Sequence, residues 1–192
     1  MRHFRYIVAG CGFFLLFSAC KKWVDPNPSV DPRITERRYC NDPQAVNYNW
    51  DFPGTQDSSV CFFPSDLFEG NYSFTDSIYF QDNSLDTNRT FQTYTLNITR
   101  TSKNQFKLAG FCGGNDINFT AQRTTYLAYA DTTLKLNDTT FAFGQPLCRI
   151  QDTLTGTLSK SKTDSLSRHI YIEWRVVSDS GINFHKGTAI KL

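Results

Sequence analysis

The stretch HIYIEWRVV (residues 169–177) decides the fold class, because its side chains alternate in character from one residue to the next. An extended chain places four apolar residues on one face: Ile170, Ile172, Trp174 and Val176. The other face carries Tyr171, Glu173, Arg175 and Val177. A period of two is the spacing of a half-buried β-strand, so this stretch predicts a strand with one face in a core.

The same period extends over most of the chain from residue 68 onwards. RTFQTYTLNIT (residues 89–99) alternates likewise, with Tyr94, Leu96 and Ile98 on one side. Further strands are predicted at 71–80, 106–110, 117–122, 124–130, 133–136, 139–143, 148–160 and 182–192, with turn clusters at 113–116 and 178–181. No long segment has helical spacing. The pattern predicts an all-β domain at 66–192, an antiparallel meander that forms a barrel or a sandwich.

The N-terminus has the layout of a secretory signal peptide, with Arg2 and Arg5 before an apolar run at 6–17. That run is too short for a membrane-spanning helix, which needs about 20 residues. Phe17-Ser18-Ala19-Cys20 resembles the lipobox of bacterial lipoproteins. The resemblance implies that residues 1–19 are removed and that Cys20 carries diacylglycerol and an N-acyl chain such as palmitate. An uncleaved anchor or a plain signal peptide is the alternative.

Charge argues against nucleic acid as a partner. The chain has 20 Lys and Arg and 18 Asp and Glu, and loss of Arg2 and Arg5 leaves 18 of each. A balanced chain offers no strongly basic face for a phosphate backbone. Lys21 and Lys22 follow the anchor, where they would sit near anionic headgroups. We therefore expect a lipid-anchored protein of the bacterial outer membrane, and lysines in place of acidic residues after Cys20 favour the periplasmic face over the cell surface.

Four cysteines remain after Cys11 and Cys20 are set aside: Cys40, Cys61, Cys112 and Cys148. An even set in an exported chain predicts disulfides, and four cysteines allow three pairings. We favour pairing of sequence neighbours, Cys40 with Cys61 and Cys112 with Cys148. A zinc site is the rival interpretation, but CxxC and CxxH spacings are absent.

Two short segments precede the β domain. The segment at 20–38 contains DPNPSVDPR and is predicted to be an extended, mobile tether. The segment at 39–65 resembles a cysteine-bounded module of exported Bacteroidota proteins, with the pattern C-x-D-P-x-A-x-N-Y-N starting at Cys40. Turn-forming residues predict a disulfide-closed knot there. Calcium is the alternative, with oxygen ligands from Asp42, Asn47, Asn49, Asp51 and Asp57, although their spacing differs from an EF-hand.

The start of the β domain, FEGNYSF (residues 68–74), is similar to the start of lipocalin-like domains. There a glycine two residues before an aromatic begins the first strand, and Gly70 and Tyr72 take those places. Small outer-membrane lipoproteins of the Bacteroidota have the same order of lipobox, tether and β meander. The resemblance implies a lipocalin-like barrel and names no ligand.

Catalytic patterns are absent from the sequence. The G-x-S-x-G and phosphate-loop motifs do not occur, and the mature glutamates, Glu36, Glu69 and Glu173, form no evident pair. His169 and His185 are predicted at surface or rim positions. We therefore expect no enzyme and no cofactor.

The expected function is that of a non-enzymatic accessory or binding module at the outer membrane, with a small molecule, a glycan or an envelope protein as partner. The alternative is a lipocalin-like carrier of a small apolar or sugar ligand. Aromatic residues make up 15% of the chain, and Tyr126 and Tyr129 are predicted on opposite faces of one strand. One such face would line a pocket, or the aromatics would simply fill the core.

Five triplets consist of Asp, then Ser or Thr, then a residue from a restricted set. This form resembles the acceptor sequon of the O-glycosylation system of the Bacteroidota, and it implies glycosylation at Ser77, Thr132, Thr139, Thr153 and Ser165. About one triplet is expected by chance from the composition, so five is an excess. A threonine-rich β protein with aspartate at its turns would also generate some of them.

Overall fold

The structure is a computed structural model of the chain. It describes residues 30–89, 91–111, 115–132, 134–136, 139–141, 144–147, 149, 151–161 and 167–192. The predictions for the signal peptide, Cys20, Cys112, Cys148 and Ser165 lie outside these residues. Within the described part of the chain, no helix is long and apolar enough to cross a membrane.

The described chain forms one short helix and thirteen strands, with 3-10 turns at Ser58–Val60, Pro64–Leu67 and Thr87–Arg89. The helix, α1, is Pro32–Glu36. The first seven strands are β1 (Arg38–Tyr39), β2 (Thr55–Gln56), β3 (Gly70–Tyr79), β4 (Gln92–Arg100), β5 (Gln105–Ala109), β6 (Ile117–Ala121) and β7 (Leu127–Ala130). The others are β8 (Leu134–Leu136), β9 (Thr139–Phe141), β10 (Gln145–Pro146), β11 (Thr153–Ser159), β12 (His169–Ser178) and β13 (Gly181–Lys191).

Eight strands close into an antiparallel barrel, which confirms the predicted fold class and selects the barrel over the sandwich. The strands run in the order β11, β12, β13, β3, β4, β5, β6, β7, and β7 pairs back onto β11 through Leu158 opposite Ala128. Closure gives every barrel strand two hydrogen-bonded neighbours. The β8–β9 hairpin is a separate sheet, and β10 pairs with β11 outside the ring.

The barrel interior is the hydrophobic core, and the alternation in the sequence selects its residues. Along β12 the buried side chains are Ile170, Ile172, Trp174 and Val176, as predicted. One end of the barrel is filled by a stack of phenylalanine rings. Phe106 lies 5.3 Å from Phe68 and 5.4 Å from Phe119, measured between ring centroids. This end is therefore closed.

The segment before the barrel packs against the closed end. Cys40 and Cys61 form a disulfide, which is the predicted pairing. β1, directly before Cys40, pairs in parallel with β2, which lies within the disulfide loop. Lys103, in the turn between β4 and β5, donates to the Asp42 carboxylate at 2.5 Å. Arg123, in the turn after β6, donates to the Pro43 carbonyl at 2.5 Å. The cysteine-bounded segment thus covers the closed end of the barrel.

The structure differs from the expected extended tether at the C-terminal end of that segment. Asp31 accepts a hydrogen bond from the backbone of Arg33, and Pro32 takes the first helical position, so that α1 begins here. An aspartate cap and a proline at the first position favour a helix start. The prediction weighted the prolines as breakers of structure and missed this single turn.

Candidate functional site

The barrel is open at the end opposite the phenylalanine stack, where a cavity of about 460 Å³ extends inwards. Side chains from β3, β4, β12 and β13 and from the turn between β10 and β11 line it. Its inner wall includes Tyr94, Phe111, Val176 and His185. The volume falls within the range of pockets that hold small organic molecules in proteins.

The floor of the cavity is aromatic. Phe111, which follows β5, lies 4.8 Å from Tyr94, 4.4 Å from Trp174 and 5.4 Å from His185 between ring centroids. The contacts with Trp174 and His185 are edge-to-face, a geometry that aromatic rings favour. A molecule bound in the cavity would therefore contact aromatic rings at the floor.

A buried pair of titratable residues lies beside these rings. His185 Nδ1 is 2.6 Å from Asp76 Oδ2, and this contact joins the adjacent strands β13 and β3. Asp76 is completely buried and His185 is 9% exposed. The prediction of a surface or rim position for His185 is wrong, because its side chain points into the barrel. His169 is exposed at the start of β12, as predicted.

Tyr94 lies close to this pair. Burial, and then the negative charge of Asp76, raise the pKa of Tyr94, while the Arg89 guanidinium lowers it. The hydroxyl of Tyr94 donates a hydrogen bond to Gln92. The cavity wall thus carries a neutral phenol at ordinary pH.

The mouth of the cavity has charges of both signs. Arg89 Nε lies 2.5 Å from Asp86 Oδ2, and Arg89 also donates to the side-chain oxygen of Asn183 at 3.1 Å. The Arg89 hydrogen bond holds the pKa of the Asp86 carboxyl below its usual value. Arg149, Asp152 and Asp179 also border the opening.

Three buried polar atoms have no hydrogen-bond partner among the described residues: Tyr72 Oη, Asp76 Oδ1 and Trp174 Nε1. Burial raises the pKa of Tyr72 to about 12. Trp174 contacts Phe111 at the floor of the cavity, and Asp76 holds His185. Unpaired polar groups in a core are costly, so their presence in this barrel calls for an explanation.

Chemically, the histidine–aspartate pair orients one imidazole towards the cavity. Within the described residues no hydroxyl or thiol side chain hydrogen-bonds His185, and a nucleophilic triad requires such a group. The arrangement is suited to holding a polar atom of a bound molecule.

Most of the proposed calcium ligands bind the protein itself. Asp42 accepts from Gln44 and Lys103, and Asp57 accepts from Ser59 and Arg38. Asn47 bridges the backbone of Val60 and Phe62, whereas the side chains of Asn49 and Asp51 form no such bond with any described residue. Across the described ranges, no group of three or more His, Cys, Asp or Glu is placed to hold a metal ion.

The sequon residues within the described ranges are spread over the barrel. Ser77 is half-buried in β3, Thr132 is exposed after β7, Thr139 lies in β9 and Thr153 is half-buried at the start of β11. The aspartate before Ser77 is Asp76, the buried partner of His185. Asp76 thus belongs to a predicted sequon, yet it is in phase with the buried residues Tyr72, Phe74 and Ile78 of β3.

No protein-family model matches the chain, and a comparison with curated proteins finds no match either.

Proposed function

We propose that this protein is a non-enzymatic binding module, anchored by lipid at Cys20, whose barrel holds a small ligand in the open cavity. The observation that carries the proposal is the cavity of about 460 Å³ at one end of a closed eight-stranded barrel. A barrel of eight strands has an interior just large enough to be filled by side chains or to hold one small ligand. Here the interior is filled at the Phe106 end and empty at the His185 end.

The position of the cysteine-bounded segment supports an anchored module. The chain enters the barrel from the closed end, where Asp42 and Pro43 contact the turns of β4–β5 and β6–β7. The mouth lies at the far ends of β3 and β12. A lipid on Cys20 would therefore be attached through the closed end, and the mouth would lie at the end of the barrel far from the point of attachment.

The test of the binding role is native mass spectrometry of the protein extracted from its own membrane. A ligand-binding module should retain a small molecule, and blocking the cavity with Val176→Trp should release it. Val177→Trp is the matched control, because Val177 lies on the outer face of the same strand. Extraction without bound mass in the unaltered protein, or equal bound mass in both variants, would contradict the proposal.

The anchor, its location and the glycans are tested separately. We propose the outer membrane and its periplasmic face, from the lipobox at 17–20 and the lysines after it. The intact mass of the native protein should equal residues 20–192 plus lipid, with further mass if at least two sequons carry sugar. Protease treatment of whole cells should leave a periplasmic protein intact, and its cleavage would place it on the surface.

A further inference from the structure

Asp76 fixes the orientation of the His185 ring inside the barrel. The 2.6 Å contact joins Nδ1 to a carboxylate oxygen, and both residues are buried. An ionised carboxylate only accepts hydrogen bonds, so Nδ1 carries the proton that is shared with Asp76. The second ring nitrogen, Nε2, is then an acceptor in the neutral ring.

A bound molecule would meet His185 rather than Asp76. His185 lines the cavity, whereas Asp76 is completely buried and does not. Because Nδ1 is engaged, Nε2 is the polar atom of the pair that remains for a ligand. Tyr94 and Phe111 provide flat apolar surface beside it. A planar molecule packed on these rings would place one edge at Nε2.

The charges around the cavity disfavour an anionic ligand. Among the described residues, two guanidiniums and four carboxylates line the cavity or pair with a lining residue: Arg89, Arg149, Asp76, Asp86, Asp152 and Asp179. Carboxylates thus outnumber guanidiniums around the cavity. An uncharged molecule avoids the repulsion and the desolvation cost that an added anion would meet there.

Packing alone does not account for the Asp76–His185 pair. Replacing buried, hydrogen-bonded ionisable residues by well-packed apolar ones is often neutral or stabilising, and Asp76 Oδ1 has no hydrogen-bond partner among the described residues. We infer, on the basis of the proposed binding role, that the cavity selects a planar, uncharged ligand whose N–H or O–H donates a hydrogen bond to His185 Nε2. Asp76 is the positioning residue that keeps Nε2 an acceptor.

Indole and benzofuran are the matched probes for this inference. They have nearly the same size and shape, but indole carries an N–H donor where benzofuran carries an oxygen. Calorimetric titration of the full chain in detergent micelles should show indole binding about tenfold more tightly, since benzofuran leaves a buried acceptor unpaired. Indole-2-carboxylate should bind more weakly than indole. The ¹⁵N resonance of His185 Nε2 should shift with indole and not with benzofuran.

Two variants separate the roles of the two residues. In Asp76→Val with His185→Phe, an apolar pair replaces the polar one, and indole and benzofuran should bind equally. In Asp76→Asn the charged acceptor is lost, so the ¹⁵N spectrum should show a mixture of His185 tautomers and the preference for indole should fall. Empty micelles supply the blank, and the double variant is the reference protein that lacks the polar pair.

The outcomes distinguish the inference from the proposed function. Equal binding of indole and benzofuran to the unaltered protein would overturn the inference and leave a binding cavity in place. Tighter binding of the carboxylate would also overturn it, because it would require a protonated ring. If none of the three probes bound and the extracted protein carried no ligand, both would fail.

Discussion

Replacing Tyr72 by phenylalanine should stabilise the protein. The side chain of Tyr72, a residue of β3, is completely buried in the core, and its hydroxyl has no hydrogen-bond partner among the described residues. A buried, unpaired hydroxyl costs about 1–3 kcal/mol, and phenylalanine removes it while keeping the ring in place. At neutral pH the free energy of unfolding should therefore rise by about 1 kcal/mol, the low end of that range.

The gain should grow at alkaline pH. Burial raises the pKa of Tyr72 from 10.0 to about 12, so the hydroxyl ionises more easily in the unfolded chain than in the folded one. The free energy of unfolding is therefore unaffected by this ionisation below pH 10, and it falls as the pH rises from 10 through 12. One pH unit corresponds to about 1.4 kcal/mol, so at pH 11 the advantage of phenylalanine should increase by about that amount.

Urea denaturation at pH 7 and pH 11 measures both effects, provided that the slope with denaturant is unchanged. Tyr171→Phe is the control, because Tyr171 lies on the outer face of β12 and is 53% exposed. It should change the unfolding free energy by less than about 0.5 kcal/mol. A loss of stability in Tyr72→Phe would refute the reasoning and would mean that an internal water or ligand satisfies the hydroxyl.

Three further changes test the framework of the fold by the same denaturation assay. Replacing Cys40 and Cys61 by alanine opens a loop with a sequence separation of 21 and should cost about 3 kcal/mol, and an unchanged midpoint would mean that the bond is absent. Gly156→Ala should destabilise strongly, because its φ is +150° and a Cβ would lie 2.2 Å from a backbone oxygen of β12; a wild-type midpoint would contradict this. Asp86→Asn should remove part of the acid sensitivity. Arg89 lowers the pKa of Asp86, so the ionised Asp86 stabilises the fold above the pKa it has in the unfolded chain. This stabilisation is lost as the pH falls through its pKa in the folded protein, and parallel acid profiles of the two proteins would contradict the prediction.

The strands of the barrel were predictable because each one carries its own signal. β12 contains Ile170, Ile172, Trp174 and Val176 in strict alternation, and the core uses all four. The period assigns a face to each side chain but does not name the neighbouring strand. Closure of β7 onto β11 joins Ala128 to Leu158 across the β8–β9 hairpin and β10, and such long-range pairing is not encoded in any local pattern.

The site could be predicted only in part, because β13 reverses the usual pattern near its start. Asn183 and His185 point into the barrel, whereas Ile182 and Phe184 lie on its outer face. The apolar residues of GINFHKG therefore suggest the wrong phase, and the pattern of this strand gives no sign that His185, expected at the surface or rim, points inwards. β3 carried a readable sign of an inward-pointing polar residue, because Asp76 falls in the buried series Tyr72, Phe74 and Ile78.

These two departures meet in space, and this meeting is the strongest argument for function. A polar residue on the inner phase of one strand is a local defect that costs stability. In this barrel Asp76 of β3 and His185 of β13 are hydrogen-bonded to each other, and His185 borders the cavity. Proteins violate the rules of local patterning mainly where a function requires it. Two independent violations that form one contact beside an open cavity are expected of a binding site and not of a stabilising core.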